Sequence, residues 1–329
     1  MSSIFNLSTM FWVEFYSTLV ALWLLSSSTA SFAYRLGMGR FFSWFLIAWI
    51  TTAPETISCI VYATRGLPTT TLFNAIYSAV FDLYLVIPLF AIYWRLGKGE
   101  TLVVNTYPFT WFIVTALLLT LCVLDLPSNP LSFDWCIDGV FEGLMLTIAC
   151  IVITSMPLTY YVKVRGEKLI RKPKEKSPGE VVTDLLSLMS SLLALGFTSW
   201  QFAERVSILA TFLPQNVVGV LSAYLTSLPD AIYASTIIYE DPEDSIGEVW
   251  SCIIHDFTES LGLPIVINKL VFGVSIAITM SIIDITITLL TLILFAVIVI
   301  ARRGILDNTF IVVSLTTFTV LTLMGVGLY

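Results

Sequence analysis

A chain of 329 residues that is 57% hydrophobic and 12% charged, with a mean hydropathy of +0.91, lies outside the range of soluble domains, which run near ~45–50% apolar and ~25% charged. Its net charge of −7, from 16 basic and 23 acidic residues, excludes a nucleic-acid binder and a basic membrane-surface protein. At about 20 apolar residues per crossing, the hydrophobic content suffices for roughly nine or ten transmembrane helices.

Apolar windows bounded by Pro, Gly and charge predict ten spans, near residues 9–34, 42–64, 70–93, 108–125, 135–162, 182–211, 214–239, 247–268, 271–300 and 308–328. The first resembles a secretory signal, since Ser26-Ser27-Ser28-Thr29-Ala30 follows an apolar stretch. Glu14 stands where a positive region is needed, so it is read as a span. The second span carries Thr51-Thr52-Ala53-Pro54-Glu55, and the third carries Ser78 and Asp82. A polar stretch, Lys163 to Glu180, follows the fifth and reads as a loop. The seventh carries Thr226-Ser227-Leu228-Pro229-Asp230, and the eighth carries Cys252, His255, Asp256 and Glu259. The five cysteines, Cys59, Cys122, Cys136, Cys150 and Cys252, show no metal-ligand spacing and read as small buried apolar residues.

With the N-terminus outside, thirteen basic residues fall on inner loops: Arg35, Arg40, Arg95, Lys98, Lys163, Arg165, Lys168, Arg171, Lys172, Lys174, Lys176, Arg302 and Arg303. Three, Arg65, Arg205 and Lys269, fall outside. This bias predicts a multi-pass protein with both termini outside and the central loop cytoplasmic. Five spans on each side of that loop insert in opposite orientations, which defines a first repeat at 1–162, a basic loop at 163–181 and a second repeat at 182–329.

The two halves repeat each other. Thr51-Thr52-Ala53-Pro54-Glu55 and Thr226-Ser227-Leu228-Pro229-Asp230 share the order hydroxyl, hydroxyl, apolar, Pro, acid. Ser78 precedes Asp82 by four residues, as Cys252 precedes Asp256, and the acid-to-acid spacing is 27 residues in one half and 26 in the other. Phe32-Ala33-Tyr34-Arg35 matches Phe202-Ala203-Glu204-Arg205 upstream. Matched blocks in one order with opposite insertion describe an inverted-topology repeat, whose site lies at the midplane between repeats. The expected fold is therefore an all-α integral membrane protein of ten transmembrane helices in two inverted five-helix repeats.

Each block suits a cation. Pro54 and Pro229 have no N–H, so the carbonyls of Ile50 and Leu225 lose their helical partners and become oxygen donors beside carboxylates. Thr51 and Thr52 share a helix face with Glu55, and Thr226 and Ser227 share one with Asp230. Four acids at span centres mark an ion path rather than a lipid face. An oxygen ligand set without a His or Cys cluster favours calcium, sodium or magnesium over zinc or copper.

At these residues the sequence resembles the sodium/calcium exchanger family of the cation/calcium antiporter superfamily. That family carries two inverted alpha-repeats, each with a Gly-Thr-Ser-Leu-Pro-Glu-like motif followed by a Gly-Asn-x-x-Gly-Ser-Asn-x-x-Asn-like motif. The run Thr226 to Pro264 matches better and Leu36 to Pro88 more weakly, placing the alpha-1 motif at about 42–93 and the alpha-2 motif at about 214–268. The resemblance implies that Glu55 and Asp230 are the central cation-binding acids, Thr51, Thr52, Thr226 and Ser227 flanking oxygen ligands, and Ser78, Asp82 and Asp256 ligands from the paired helices. The chain departs from the pattern in Asp230 for Glu, Cys252 for a hydroxyl, Asp82 for Asn, and Gly247-Glu248 for Gly-Asn. Asn74 keeps the Asn of the first motif.

Four ionised acids exceed one divalent ion by two charges, so monovalent cations or protons must enter as calcium leaves. The expected activity is exchange of Ca2+ for a monovalent cation, sodium in first place, with no resident cofactor and no enzymatic chemistry. The alternatives are a proton- or potassium-coupled Ca2+/Mg2+ exchanger and, from other classes, a cation channel or an intramembrane aspartyl enzyme. The Gly-x-Gly-Asp motif of such enzymes is absent. The expected partners are the two ions and the lipid bilayer, with the oligomeric state open and a monomer compatible. His255 reads as packing, Glu259 as an ion-path or helix-pairing residue, and Asp138, Glu142, Asp184, Glu204 and Asp284 have no repeat partner.

Overall fold

The computed structural model describes residues 12–13, 16–17, 20–21, 47–125, 134–165, 178–238, 242–279 and 281–327. The first predicted span lies almost wholly outside them. Among the described residues nine helices follow one another: α1 Ala53–Thr64, α2 Pro68–Lys98, α3 Thr110–Val123, α4 Val140–Arg165, α5 Pro178–Leu209, α6 Gln215–Ile237, α7 Pro242–Leu270, α8 over 282–301 and α9 Asn308–Gly325. They correspond in order to the second to tenth predicted spans. The ninth starts later than its apolar window, because residues 273–277 form no helix and Ile278–Thr279 form a strand.

Five short strands tie the connections: β1 Leu102–Val103, β2 Leu124–Asp125, β3 Asp134–Ile137, β4 Ile278–Thr279 and β5 Ile305–Leu306. β1 pairs antiparallel with β5 in the register Leu102↔Leu306, and β3 lies between β2 and β4. The β1–β5 and β3–β4 pairings each join a connection in the first half to one in the second.

Among the described residues, the helices long and apolar enough to cross a membrane are α2, residues Leu185–Leu209 of α5, and α9. Protein encloses 83% of the α2 window but only 22% of the α5 window and 28% of the α9 window, so α2 is central and the other two are peripheral. Exposed Leu186, Leu193 and Phe197 give α5 an apolar outer face suited to hydrocarbon. α7 misses that apolar standard because it carries Glu243, Asp244, Glu248, Asp256 and Glu259.

Four helices make the centre. α1 packs on α2, α5 and α7, α2 packs on α6 and α7, and α7 packs on α4 and α6. The pairs Thr56–Ser260 and Thr64–Asn268 advance together along α1 and α7, so these helices run parallel. The contacts Thr70–Gln215 and Phe81–Tyr224 show the same for α2 and α6. Each parallel pair unites one half of the chain with the other.

Small residues set the closest approaches. A Cβ on Gly219 of α6 would fall 2.5 Å from the Phe73 Cβ of α2, and one on Gly262 of α7 would fall 2.4 Å from the Gly143 carbonyl of α4. Membrane helices approach this closely where side chains are absent. Between α1 and α2 the chain reverses over residues 65–67: Gly66, at φ +71°, donates to the Ala63 carbonyl, and Leu67 donates to that of Tyr62. This is a Schellman turn, and it needs the left-handed conformation that glycine adopts without penalty.

Gly262→Val should therefore force α4 and α7 apart and lower stability by about 1–3 kcal/mol, read as a fall in the thermal unfolding midpoint in detergent. At the start of α9, Asp307 accepts the Phe310 N–H at 3.0 Å and meets Arg302. The Phe310 hydrogen bond, with the Arg302 charge, holds this carboxyl below the usual carboxylate range. A depressed folded pKa gives stability that is present above the unfolded value and lost as pH falls. Asp307→Ala should thus cost about 1 kcal/mol at neutral pH, with the difference from wild type shrinking in unfolding curves as pH falls below about 4.

Candidate cation site

Residues 47–64 are helical except at Thr52, which takes a turn conformation (φ −81°, ψ −2°) two residues before Pro54. Hydrogen bonds from Thr52 N to Ala48 O and from Thr56 N to Thr52 O, both 3.1 Å, carry the ladder past the proline. The helix is thus loosened rather than broken at the block, and Pro54 offers no N–H to the Ile50 carbonyl. Glu55, immediately beyond, is fully buried.

On α2, Asn74, Ser78 and Asp82 follow one another at intervals of four, all buried. A π turn over Asp82–Val86 starts at the acid, with the Ile87 N–H donating to the Asp82 carbonyl. Such turns shift the register of a helix and recur at functional positions. Tyr84 within it donates to the Thr291 carbonyl at 3.1 Å, inside a second π turn, Leu290–Leu294, in α8. α7 repeats the α2 pattern with Glu248, Cys252, Asp256 and Ser260, again buried and at intervals of four. On α6, Thr226 and Ser227 are buried, and the helix backbone runs on through Pro229 and Asp230, whose side chains lie outside the described residues.

Contacts across the helices gather these faces. The Thr51 hydroxyl lies 3.4 Å from the Cys252 sulfur, and Thr56 Oγ1 lies 2.9 Å from Ser260 Oγ. The Asn74 amide donates to Cys59 Sγ at 3.4 Å, and Glu55 and Asp256 both lie within electrostatic reach of that thiol. Cys59 of α1 thus lies next to Asn74 of α2, and the helices that carry Glu55, Asn74 and Asp256 pack on one another. Tyr62 and Ser222, 2.6 Å apart, tie α1 to α6. Thr51, Thr52, Glu55, Ser78, Asp82 and Asp256 sit on three mutually packed helices, and Thr226 and Ser227 sit on a fourth.

The hydroxyls divide into two kinds. Thr51 and Thr52 donate to the Ala48 carbonyl at 3.1 and 3.0 Å, and Thr226 donates to that of Ser222 at 3.0 Å. Spending the proton on the helix leaves their oxygen lone pairs as acceptors only, the form a cation needs. The Ser78 and Ser227 hydroxyls have no hydrogen-bond partner among the described residues.

Glu55, Asp82, Glu248 and Asp256 are all buried, as are His255 and Glu259 of α7. Two of these features were not singled out as sites from the sequence. Asn74 and Glu248 are 174 positions apart, as are Ser78 and Cys252 and also Asp82 and Asp256. Extending the repeat one turn upstream would have found them. His255, read as packing, is buried, and its ring lies between Cys150 of α4 and Glu259, a contact across 105 positions that no local spacing announces. Among the acids without a repeat partner, Glu204 forms a two-pronged pair with Arg65 at the end of α1, and Asp284 closes a capping box with Ser281.

Residues 7–161 match the model of the family described as sodium/calcium exchanger protein. No curated protein matches the chain by sequence. Among solved structures, the chain is similar to the sodium-calcium exchanger NCX_Mj. The form soaked with 10 mM Na+ and zero Ca2+ aligns at 14% identity over 95% of this chain and 97% of that one, with a TM-score of 0.63. The form soaked with 100 mM Na+ and 10 mM Sr2+ gives 15% identity over 95% and 97%, also at 0.63. The form with zero Na+ and Ca2+ gives 16% over 95% and 97%, at 0.60. The resemblance carried by the Pro-acid blocks is borne out, and the fold of this chain is that of the membrane exchanger.

Oxidative crosslinking checks the geometry. A Thr51→Cys substitution should form a disulfide with native Cys252 under mild oxidation, retarding or joining proteolytic fragments on a gel, and Cys252→Ser should abolish it. Failure to crosslink in a folded variant would contradict this approach of α1 to α7.

Proposed function

We propose that this chain, a multi-pass membrane protein with an exchanger fold, is a secondary antiporter that exchanges Ca2+ for a monovalent cation, sodium in first place, by alternating access to one carboxylate-lined site. The observation that carries the proposal is the set Glu55, Asp82, Glu248 and Asp256, buried on three packed helices together with the buried hydroxyls of Ser78 and Ser260. Acids gathered inside a membrane protein mark an ion path rather than a lipid face.

In this reading Glu55 and Asp230 are the central acids. Asp82, Asp256, Thr51, Thr52, Ser78, Thr226 and Ser227 complete an oxygen shell, which suits a hard cation that takes six to eight oxygens. One Ca2+ neutralises two acids. The remainder hold monovalent cations or protons, so the arrival of one set favours departure of the other. The parallel pairing of α1 with α7 and of α2 with α6 supports a ten-span protein of two inverted five-span repeats, 1–162 and 182–329, around a cytoplasmic loop at 163–181, with both termini outside. A single chain supplies the whole site.

A second reading, coupling to potassium or protons, draws on two positions. Asp82 and Glu248 are acids where the exchanger motif has Asn, and each adds a negative charge that a smaller sodium load leaves uncompensated.

Calcium uptake into proteoliposomes under imposed sodium, potassium or proton gradients tests these readings. Sodium-driven uptake that falls to background in Glu55→Gln and in Asp230→Asn is the expected result; undiminished exchange in both variants sinks the site. Asp82→Asn should retain sodium-driven exchange and lose any potassium-driven component. Reagent added from outside the cell should label a cysteine placed after residue 327 but not one placed at Lys172, and the opposite pattern reverses the proposed orientation.

A further inference from the structure

Beside the candidate cation site lies a second cluster of different chemistry. Cys150 Sγ of α4 is 3.1 Å from His255 Nδ1 of α7, and the same nitrogen is 2.8 Å from Glu259 Oε2. Sulfur, nitrogen and oxygen all lie within 4.8 Å of one another, and all three side chains are buried. Trp49, half exposed, donates its indole N–H to the two Glu259 oxygens at 3.0 and 2.8 Å.

A single ring nitrogen holds at most one proton, which can be directed well at only one of two neighbours. Here a thiol and a carboxylate both press on it. A divalent cation resolves the conflict: Nδ1 offers a lone pair, Cys150 binds as thiolate after losing its proton, and Glu259 binds through one oxygen while the other keeps the indole. The charges sum to zero, as a low-dielectric interior demands. Bonds of about 2.0–2.3 Å at tetrahedral angles put donors roughly 3.3–3.6 Å apart, so the thiol and the carboxylate need to draw back from Nδ1 by only about half an ångström. A sulfur, nitrogen and oxygen set selects Zn2+ or a similar late divalent ion, in contrast to the oxygen shell proposed for Ca2+.

We propose that Cys150, His255 and Glu259 form a site for a Zn2+-class ion, separate from the transported cations. Seated there, the ion braces α4 against α7 one residue from Asp256. Through Trp49 it reaches the segment that leads into α1, so its occupancy restrains the helices that carry the cation site. The inference is independent of which ions are exchanged.

Purified protein, stripped of metal and held in excess Ca2+, is titrated with Zn2+, and the bound metal is measured by atomic emission. About one ion per chain is expected in wild type and in Glu55→Gln, with loss in Cys150→Ala and in His255→Gln. Wild type that binds no zinc overturns the proposal. So does zinc that survives both cluster substitutions, or zinc that disappears with Glu55→Gln and therefore sits among the transport acids. Co2+ gives a second readout that holds even where the cluster variants fail to fold. A variant keeping Cys150 as its sole cysteine must show a thiolate-to-cobalt absorption band, and absence of the band refutes the site. Neither readout requires exchange, so this inference and the antiport proposal stand or fall separately.

Discussion

Ionised carboxylates inside protein cost several kcal/mol each unless their charge is met. Much of this chain is arranged around that cost. The buried acids lie on α1, α2 and α7, which are surrounded by other helices, while α5 and α9 turn large apolar side chains such as Leu193, Phe197 and Val312 outward. Close contacts at Gly219 and Gly262 and the hydrogen bonds Thr51–Cys252, Thr56–Ser260 and Tyr62–Ser222 hold the acid-bearing helices together across the two halves.

The division between central and peripheral helices has a sequence correlate. Helices that meet lipid read as long apolar windows, whereas α1 is short and α7 is interrupted by five acids. The segments that are poorest as membrane spans by composition are the ones the fold places at its centre.

Much of the fold and part of the site were legible from sequence because both rest on local patterns. The second to tenth spans followed from apolar length, and the two Pro-acid blocks, with the Ser78–Asp82 and Cys252–Asp256 pairs, followed from repetition at a fixed offset. Ser78 and Asp82 share a face because four residues nearly complete a helical turn, a property fixed before any tertiary contact exists. Asn74 and Glu248 obey the same arithmetic and could have been read with them. The π turn at Asp82 was not readable, since it depends on how α2 meets its neighbours. Cys150 and His255 meet only because Gly143 and Gly262 allow α4 and α7 to touch, and neither residue's surroundings in the chain carry that information.

The Schellman turn at Gly66 bears on how the molecule can move. With only residues 65–67 between them, and with Thr71 and Asn74 bonded to Cys59, α1 and α2 form a stiff hairpin. Glu55 and Asp82 lie on the two arms of that hairpin, so any motion that keeps the turn and the Cys59 contacts intact carries both acids as a unit.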